Sequence, residues 1–144
     1  MILINKRAKK EDYQTILAVW ERSVIATHDF LTAEDRQFYK EQIPGFLDYV
    51  ELLLWFSGEK VIGFSGTSER ELDMLFLDPA FIGEGFGSQI LGWLVGNKQI
   101  NQVDVNEQNE IATRFYLKHG FLVASRSEVD GFGKAYPILH LKRA

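Results

Sequence analysis

The chain has 144 residues, of which 46% are hydrophobic and 25% charged, the balance of a globular protein large enough to bury a core without covalent staples. It has no cysteine, which excludes disulfides, thiolate metal sites and a cysteine nucleophile, and which suits a reducing compartment. Lys and Arg number 16 against 20 Asp and Glu, a net charge of −4 that argues against the basic face of a nucleic-acid binder. The opening residues 1–7 are apolar only briefly and show no signal-peptide pattern, and no apolar stretch is long enough to span a bilayer. No repeat or Pro/Gly/Ser-rich linker divides the chain, so the expectation is one domain over residues 1–144, cytoplasmic, acting as a monomer or homodimer.

Residues 2–7 read as a first strand. Tyr13, Ile16, Leu17, Trp20 and Val24 then recur at helical spacing. After a break over residues 27–31, Thr32 with an acid three residues on gives a helix start, and this second helix is expected to stop near Pro44-Gly45. Residues 52–56, 61–65 and 71–77 read as three strands of an antiparallel meander, ended by Asp78-Pro79. Ile90, Leu91, Leu94 and Val95 mark a third helix, and residues 103–105 a brief strand. Ala112, Phe115, Tyr116 and His119 share one face of a fourth helix, with Gly120 as its cap. Residues 121–125 and 136–141 close the chain as two strands. The order β-α-α-β-β-β-α-β-α-β-β predicts an α/β (α+β) fold, a mixed sheet covered by helices.

The richest segment is Leu75-Phe76-Leu77-Asp78-Pro79-Ala80-Phe81-Ile82-Gly83-Glu84-Gly85-Phe86-Gly87-Ser88. It is a strand, a turn with glycine at every second residue, then a helix. Glycine lets the backbone take left-handed conformations and lets a ligand approach closely. The free N–H groups of such a turn and of the helix start make an anion site fit for a pyrophosphate. A P-loop would need a lysine after Gly87, and the dinucleotide fingerprint would need a different third glycine and a place near the first strand. A glycine loop that only lets a helix pack against the sheet would carry the same residues.

Downstream, Val105, Asn106, Asn109, Ala112, Phe115, Tyr116, Gly120 and Phe121 stand in the pattern V-N-x-x-N-x-x-A-x-x-F-Y-x-x-x-G-F. With the glycines at 83, 85 and 87, this resembles the two signatures of the GNAT superfamily of acetyl-CoA-dependent N-acetyltransferases, in the right order over residues 75–121. The element order of the whole chain agrees. The chain is similar in particular to small bacterial members with Arg-Ser-x-x-x-Thr-His-x-Phe-Leu after the first helix, here residues 22–31, and Gly-Lys-x-Tyr-Pro near the C-terminus, here residues 133–137. Some of these are described as protein lysine acetyltransferases.

The resemblance implies a mostly antiparallel sheet splayed in its middle, with helices on both faces. It implies acetyl-CoA as co-substrate, no metal, and an amine acceptor: a protein lysine, a protein N-terminus or a small molecule. It places the pantetheine arm on the strand residues Leu75, Phe76 and Leu77. It places the pyrophosphate on Ile82, Gly83, Glu84, Gly85, Phe86, Gly87 and Ser88, and further coenzyme contacts on Asn106, Asn109 and Tyr116. Asn109 would serve equally as a helix N-cap. The family's usual Arg or Gln before the glycines is Ile82 here, and Glu84 puts an anion in the turn, so phosphate binding rests on backbone N–H groups and the helix dipole. Tyr116 matches the family's general acid for the leaving thiolate, against a plain core tyrosine on a helix face. For the base, Glu71 acts through water in some members, with Asp73 two residues on, and His28 lies where members build the acceptor groove. His119 reads as a helix-end residue, and His140 has no partner legible in the sequence. A non-catalytic acyl-CoA-binding or sensing module on the same fold is the alternative that the altered turn motivates.

Overall fold

In β2 (Glu51–Ser57), Leu52, Leu53, Leu54 and Trp55 are all buried, so this strand is covered on both faces. Alternation sends them to two cores. Leu52 and Leu54 join Phe64 of β3 (Lys60–Ser68) under Ile16, Val19, Trp20 and Val24 of α1 (Tyr13–Thr27) and Ile43 and Leu47 of α2 (Ala33–Leu47). Leu53 and Trp55 join Ile62, Leu72, Val103, Val105 and Leu141 under Ile90, Leu91 and Leu94 of α3 (Phe86–Lys98) and Tyr116 of α4 (Glu110–Lys118). Helices therefore lie on both faces of the sheet, as expected.

The computed structural model describes residues 3–144. Ile2, expected to open the first strand, lies outside them, and β1 is Leu3–Arg7. The remaining strands are β4 (Glu71–Leu77), β5 (Gln102–Asn106), β6 (Phe121–Ser127) and β7 (Ile138–Arg143), in the sheet order β1-β2-β3-β4-β5-β7-β6. Neighbours are antiparallel except β4 and β5, which run parallel and pair only at Glu71–Gln102 and Leu72–Val103. Beyond Leu72 the two strands part, while the other edge of β4 stays paired to β3 as far as Leu77. This is the splay implied by the resemblance. On the β3 side the register skips Asp73, which is the extra residue of a bulge.

Two expectations fail locally. α2 does not stop at Pro44-Gly45 but runs through them to Leu47. Proline there forfeits one backbone hydrogen bond, a cost of roughly 3 kcal/mol in a helix interior. Ile43 and Leu47 flank it one turn apart at 8% and 2% exposure, and their burial offsets that cost. The last strand begins at Ile138, not at Tyr136. Pro137 has no N–H for a ladder, and the Tyr136 hydroxyl donates to Asp35 at the start of α2 instead. The Thr32 cap stands: its hydroxyl accepts from Asp35 N–H at 3.1 Å.

Candidate active site

The turn after β4 is built by backbone conformation. Asp78 Oδ1 accepts the Ala80 N–H at 3.2 Å, opening a short 3-10 turn over Pro79–Phe81. Gly83 and Gly85 then take φ of +86° and +84°, values that side chains other than glycine rarely adopt. Gly85 is the N-cap of α3, and with no side chain to satisfy them the first-turn N–H groups of that helix are left for a ligand. Gly87 differs. Its φ is ordinary, and a Cβ there would meet the Phe115 ring at 3.5 Å. The third glycine thus faces α4 at ordinary contact distance, without the left-handed backbone of the first two.

Beside this turn lies a cavity of about 380 Å³, within the usual range of small-molecule sites. Of the expected coenzyme residues, Leu75, Phe76, Leu77, Ile82, Gly83, Gly85, Gly87, Ser88, Asn109 and Tyr116 line it. Phe86 instead is buried beneath the turn against Phe81, and Glu84 is exposed and does not line the cavity. Asn109 caps α4, accepting the Ala112 N–H at 3.1 Å, while also lining the cavity. Asn106 does not line this cavity at all. Ser88 is held by His119, with Oγ and Nε2 3.0 Å apart, a tie between α3 and the end of α4 that the sequence did not signal.

Where β4 and β5 part, a second cavity of about 180 Å³ opens between Asp73, Met74, Asp104, Asn106, Asn109 and Tyr116. A third, of about 310 Å³, continues from it under α1 and α2. Its wall is apolar and aromatic, with Trp20, Phe46 and Phe132, and it holds two carboxylates, Asp73 and Asp130. The segment between β6 and β7 gives it one wall, through Asp130, Gly131 and Phe132, and is fastened to α2 by hydrogen bonds from Tyr39 to Asp130 and from Tyr136 to Asp35 and by a Lys134–Asp35 ion pair of 2.9 Å. His28 and Phe76 belong to the walls of all three cavities. The second cavity shares wall residues with each of the other two, so the three lie side by side from the glycine turn, past the splay, to the acidic and aromatic chamber.

Tyr116 sits at the meeting of the first two cavities, 7% exposed, packed by Phe115 and Phe121. Burial raises its hydroxyl above the usual tyrosine range, so it keeps its proton at neutral pH. His28 is pulled down to about 4 by burial, against a small opposing effect of Asp29, and is neutral at pH 7. Glu71 stands in the paired stretch of β4 and lines none of the three cavities. Its carboxyl is raised by burial and then by Asp73 and Asp104. Asp73 does line the second and third cavities. It is raised by burial, and a 2.6 Å bond from Ser68 Oγ draws it back.

His140, without a legible partner in the sequence, has two: Nδ1 lies 2.7 Å from Asp104 Oδ1 and Nε2 2.7 Å from Ser127 Oγ. The amide oxygen of Asn106, at the end of β5, is buried without a hydrogen-bond partner. Thr27, Tyr39 and Asp130 were not singled out from the sequence. Thr27 alone had a signal there, as part of the segment over residues 22–31. Among the described residues no group of three His, Asp or Glu side chains could hold a metal ion, and no helix is long and apolar enough to cross a membrane.

Residues 26–123 match the model of the acetyltransferase (GNAT) domain. Two relatives share the whole length. The peptidyl-lysine N-acetyltransferase YjaB of Escherichia coli K12 is 40% identical, with 98% of this chain and 97% of that one aligned. The protein of the same name from Salmonella typhimurium LT2 is 38% identical, with 98% of each chain aligned. The solution structure of apo YjaB from Escherichia coli superposes with a TM-score of 0.90 at 38% identity, covering 100% of this chain and 99% of that one. The two signatures and the splayed sheet thus have the origin that the sequence implied: this chain belongs to the GNAT family of acetyltransferases.

Proposed function

We propose that this acetyltransferase moves the acetyl group of acetyl-CoA to the side-chain amine of a protein lysine, in the cytoplasm. The observation that carries the reading is the row of three adjoining cavities, with the glycine turn beside the first and acidic and aromatic side chains lining the last. The pyrophosphate lies on the N–H groups from Gly83 to Ser88. The pantetheine arm pairs with the edge of β4 left free beyond Leu72, which brings the thioester to the splay. Tyr116 donates its proton to the departing thiolate. The amine enters through the chamber, where Asp73 and Asp130 attract its cationic form, in keeping with an acidic chain rather than a polyanion-binding one. Before attack it loses a proton, for which Glu71 is an acceptor reached through water, its raised value closer to the working range than an ordinary carboxylate.

The lysine is favoured over an N-terminus because both relatives that share the whole length carry the name peptidyl-lysine N-acetyltransferase. The test is thiol release from acetyl-CoA with two peptides of one sequence, one with an N-terminal blocking group and an internal lysine, the other with a free N-terminus and no lysine. Release with the first and not the second supports the reading. Release with the second alone overturns the choice of lysine.

A further inference from the structure

The segment Arg22 to Leu31, singled out in the sequence, has no part in the chemistry described so far. Its middle builds a device around His28. Thr27 Oγ1 lies 2.8 Å from the carbonyl oxygen of Ser23 and 2.7 Å from His28 Nδ1. A carbonyl can only accept, so the single hydroxyl proton of Thr27 goes to Ser23. Thr27 Oγ1 must then accept from His28, which places the imidazole proton on Nδ1. In a neutral ring that leaves a lone pair on Nε2. Nε2 has no protein partner among the described residues. The Phe30 ring packs on the imidazole at 5.2 Å, and Leu31 N–H closes the turn on the His28 carbonyl at 3.0 Å. His28 is thus a fixed, uncharged acceptor in the wall of all three cavities.

We propose that His28 selects nitrogen over oxygen acceptors, its Nε2 lone pair taking a hydrogen bond from an N–H of the attacking amine. This rests on the acetyl transfer proposed above. A neutral primary amine has two N–H bonds and a lone pair. The lone pair forms the new C–N bond as the C–S bond breaks. One N–H proton leaves for the base, which has already passed the proton of the cationic amine to water, and goes on to replace the one that Tyr116 gives to the thiolate. The other N–H remains in the amide product, and it is the one that His28 holds from attack to release. An alcohol has a single O–H, which it must lose as the ester forms. Offered to the base, that proton leaves His28 without a partner; offered to His28, it meets an imidazole that burial has made a poor proton acceptor. His28 is therefore a specificity-determining residue, and Thr27 a positioning residue that fixes its tautomer.

The experiment compares kcat and KM for a lysine peptide and for the matching peptide whose side chain ends in a hydroxyl, in wild-type protein and in His28→Leu, His28→Gln and Thr27→Val. Calorimetric titration of coenzyme A into each variant checks that the fold and the first cavity are intact. Removing the acceptor in His28→Leu should lower kcat/KM for lysine 10- to 100-fold, mostly in kcat, and leave the slow hydroxyl reaction within threefold. His28→Gln, which returns an acceptor oxygen near the Nε2 position, should recover most of the lysine rate, and Thr27→Val should fall between. Lysine turnover within threefold of wild type in His28→Leu, a parallel fall for both acceptors, or a His28→Gln variant as slow as His28→Leu would overturn the assignment while leaving the enzyme's function intact. Wild-type protein that releases no thiol with lysine would overturn the function and this inference together.

Discussion

Arg22 of α1 and Asp78, just after β4, form an ion pair at the start of the glycine turn, with Nη2 2.6 Å and Nε 3.0 Å from the same carboxylate oxygen. The other oxygen of Asp78 caps the turn through Ala80 N–H. One carboxylate thus fixes both the turn and its distance from the helix that carries His28. Arg22 is 53% exposed, so the pair adds little to global stability, less than about 1 kcal/mol after solvent screening. Arg22→Ala should leave the unfolding midpoint nearly unchanged and weaken coenzyme A binding roughly fivefold, the equivalent of about 1 kcal/mol. Thermal unfolding and calorimetry on the same samples separate the two effects.

Gly85 makes no close contact that a methyl group would violate, so its requirement is conformational. Gly85→Ala holds an L-residue in the left-handed region at a cost of about 1–2 kcal/mol. Denaturant unfolding should show that loss, and coenzyme affinity should fall about tenfold as the first N–H groups of α3 turn away. Gly87→Ala, facing the Phe115 ring at ordinary contact distance, should be milder in both measurements.

Ile82 occupies the place of the family's usual Arg or Gln and is 43% exposed at the cavity rim. Ile82→Arg should tighten coenzyme A binding by up to about fivefold, the value of one exposed charge contact. The gain should shrink as salt is raised, since screening at such a site is strong. An unchanged affinity at low salt would mean that the phosphates lie elsewhere.

The neutral state of His28 has a cost in acid. Its folded value, about 4, is below the ordinary 6.5, so the unfolded chain binds a proton that the folded chain refuses. Stability from this residue is complete above about pH 6.5 and declines as the pH falls toward 4, by up to ~3 kcal/mol at 1.36 kcal/mol per unit. Glu71 and Asp73 are raised in the fold and act in the opposite sense, regaining some stability in the carboxylate range. Urea unfolding between pH 7.5 and 4.5 should show a steeper decline for wild type than for His28→Gln.

Local chemistry made the fold legible in the sequence. Helical spacing from Tyr13 to Val24, the Thr32 cap and the turn glycines act within a few residues, and each does what its neighbours imply. Pro44 misled because the burial of Ile43 and Leu47, a tertiary effect, outweighed a local rule. At the site, the glycines stood out by their spacing, while Tyr116 and Asn109 were singled out through the resemblance to the GNAT signatures. Tyr39 with Asp130, Tyr136 with Asp35, and His140 with Asp104 join positions 91, 101 and 36 residues apart, and no spacing rule reaches that far. The place of Asn106 was illegible for a related reason. Its signature match says nothing of which side of the splay it lines, and only the strand register puts it between the second and third cavities.

The most direct test of the account combines calorimetric titration of acetyl-CoA with thiol release on a lysine peptide, in wild-type and Tyr116→Phe protein. Both proteins should bind the coenzyme within threefold of each other, and the loss of the buried hydroxyl should slow thiol release by about 10²- to 10⁴-fold, the usual contribution of a general acid. Failure of wild type to bind acetyl-CoA at millimolar concentration, or a Tyr116→Phe variant that turns over as fast as wild type, would contradict it.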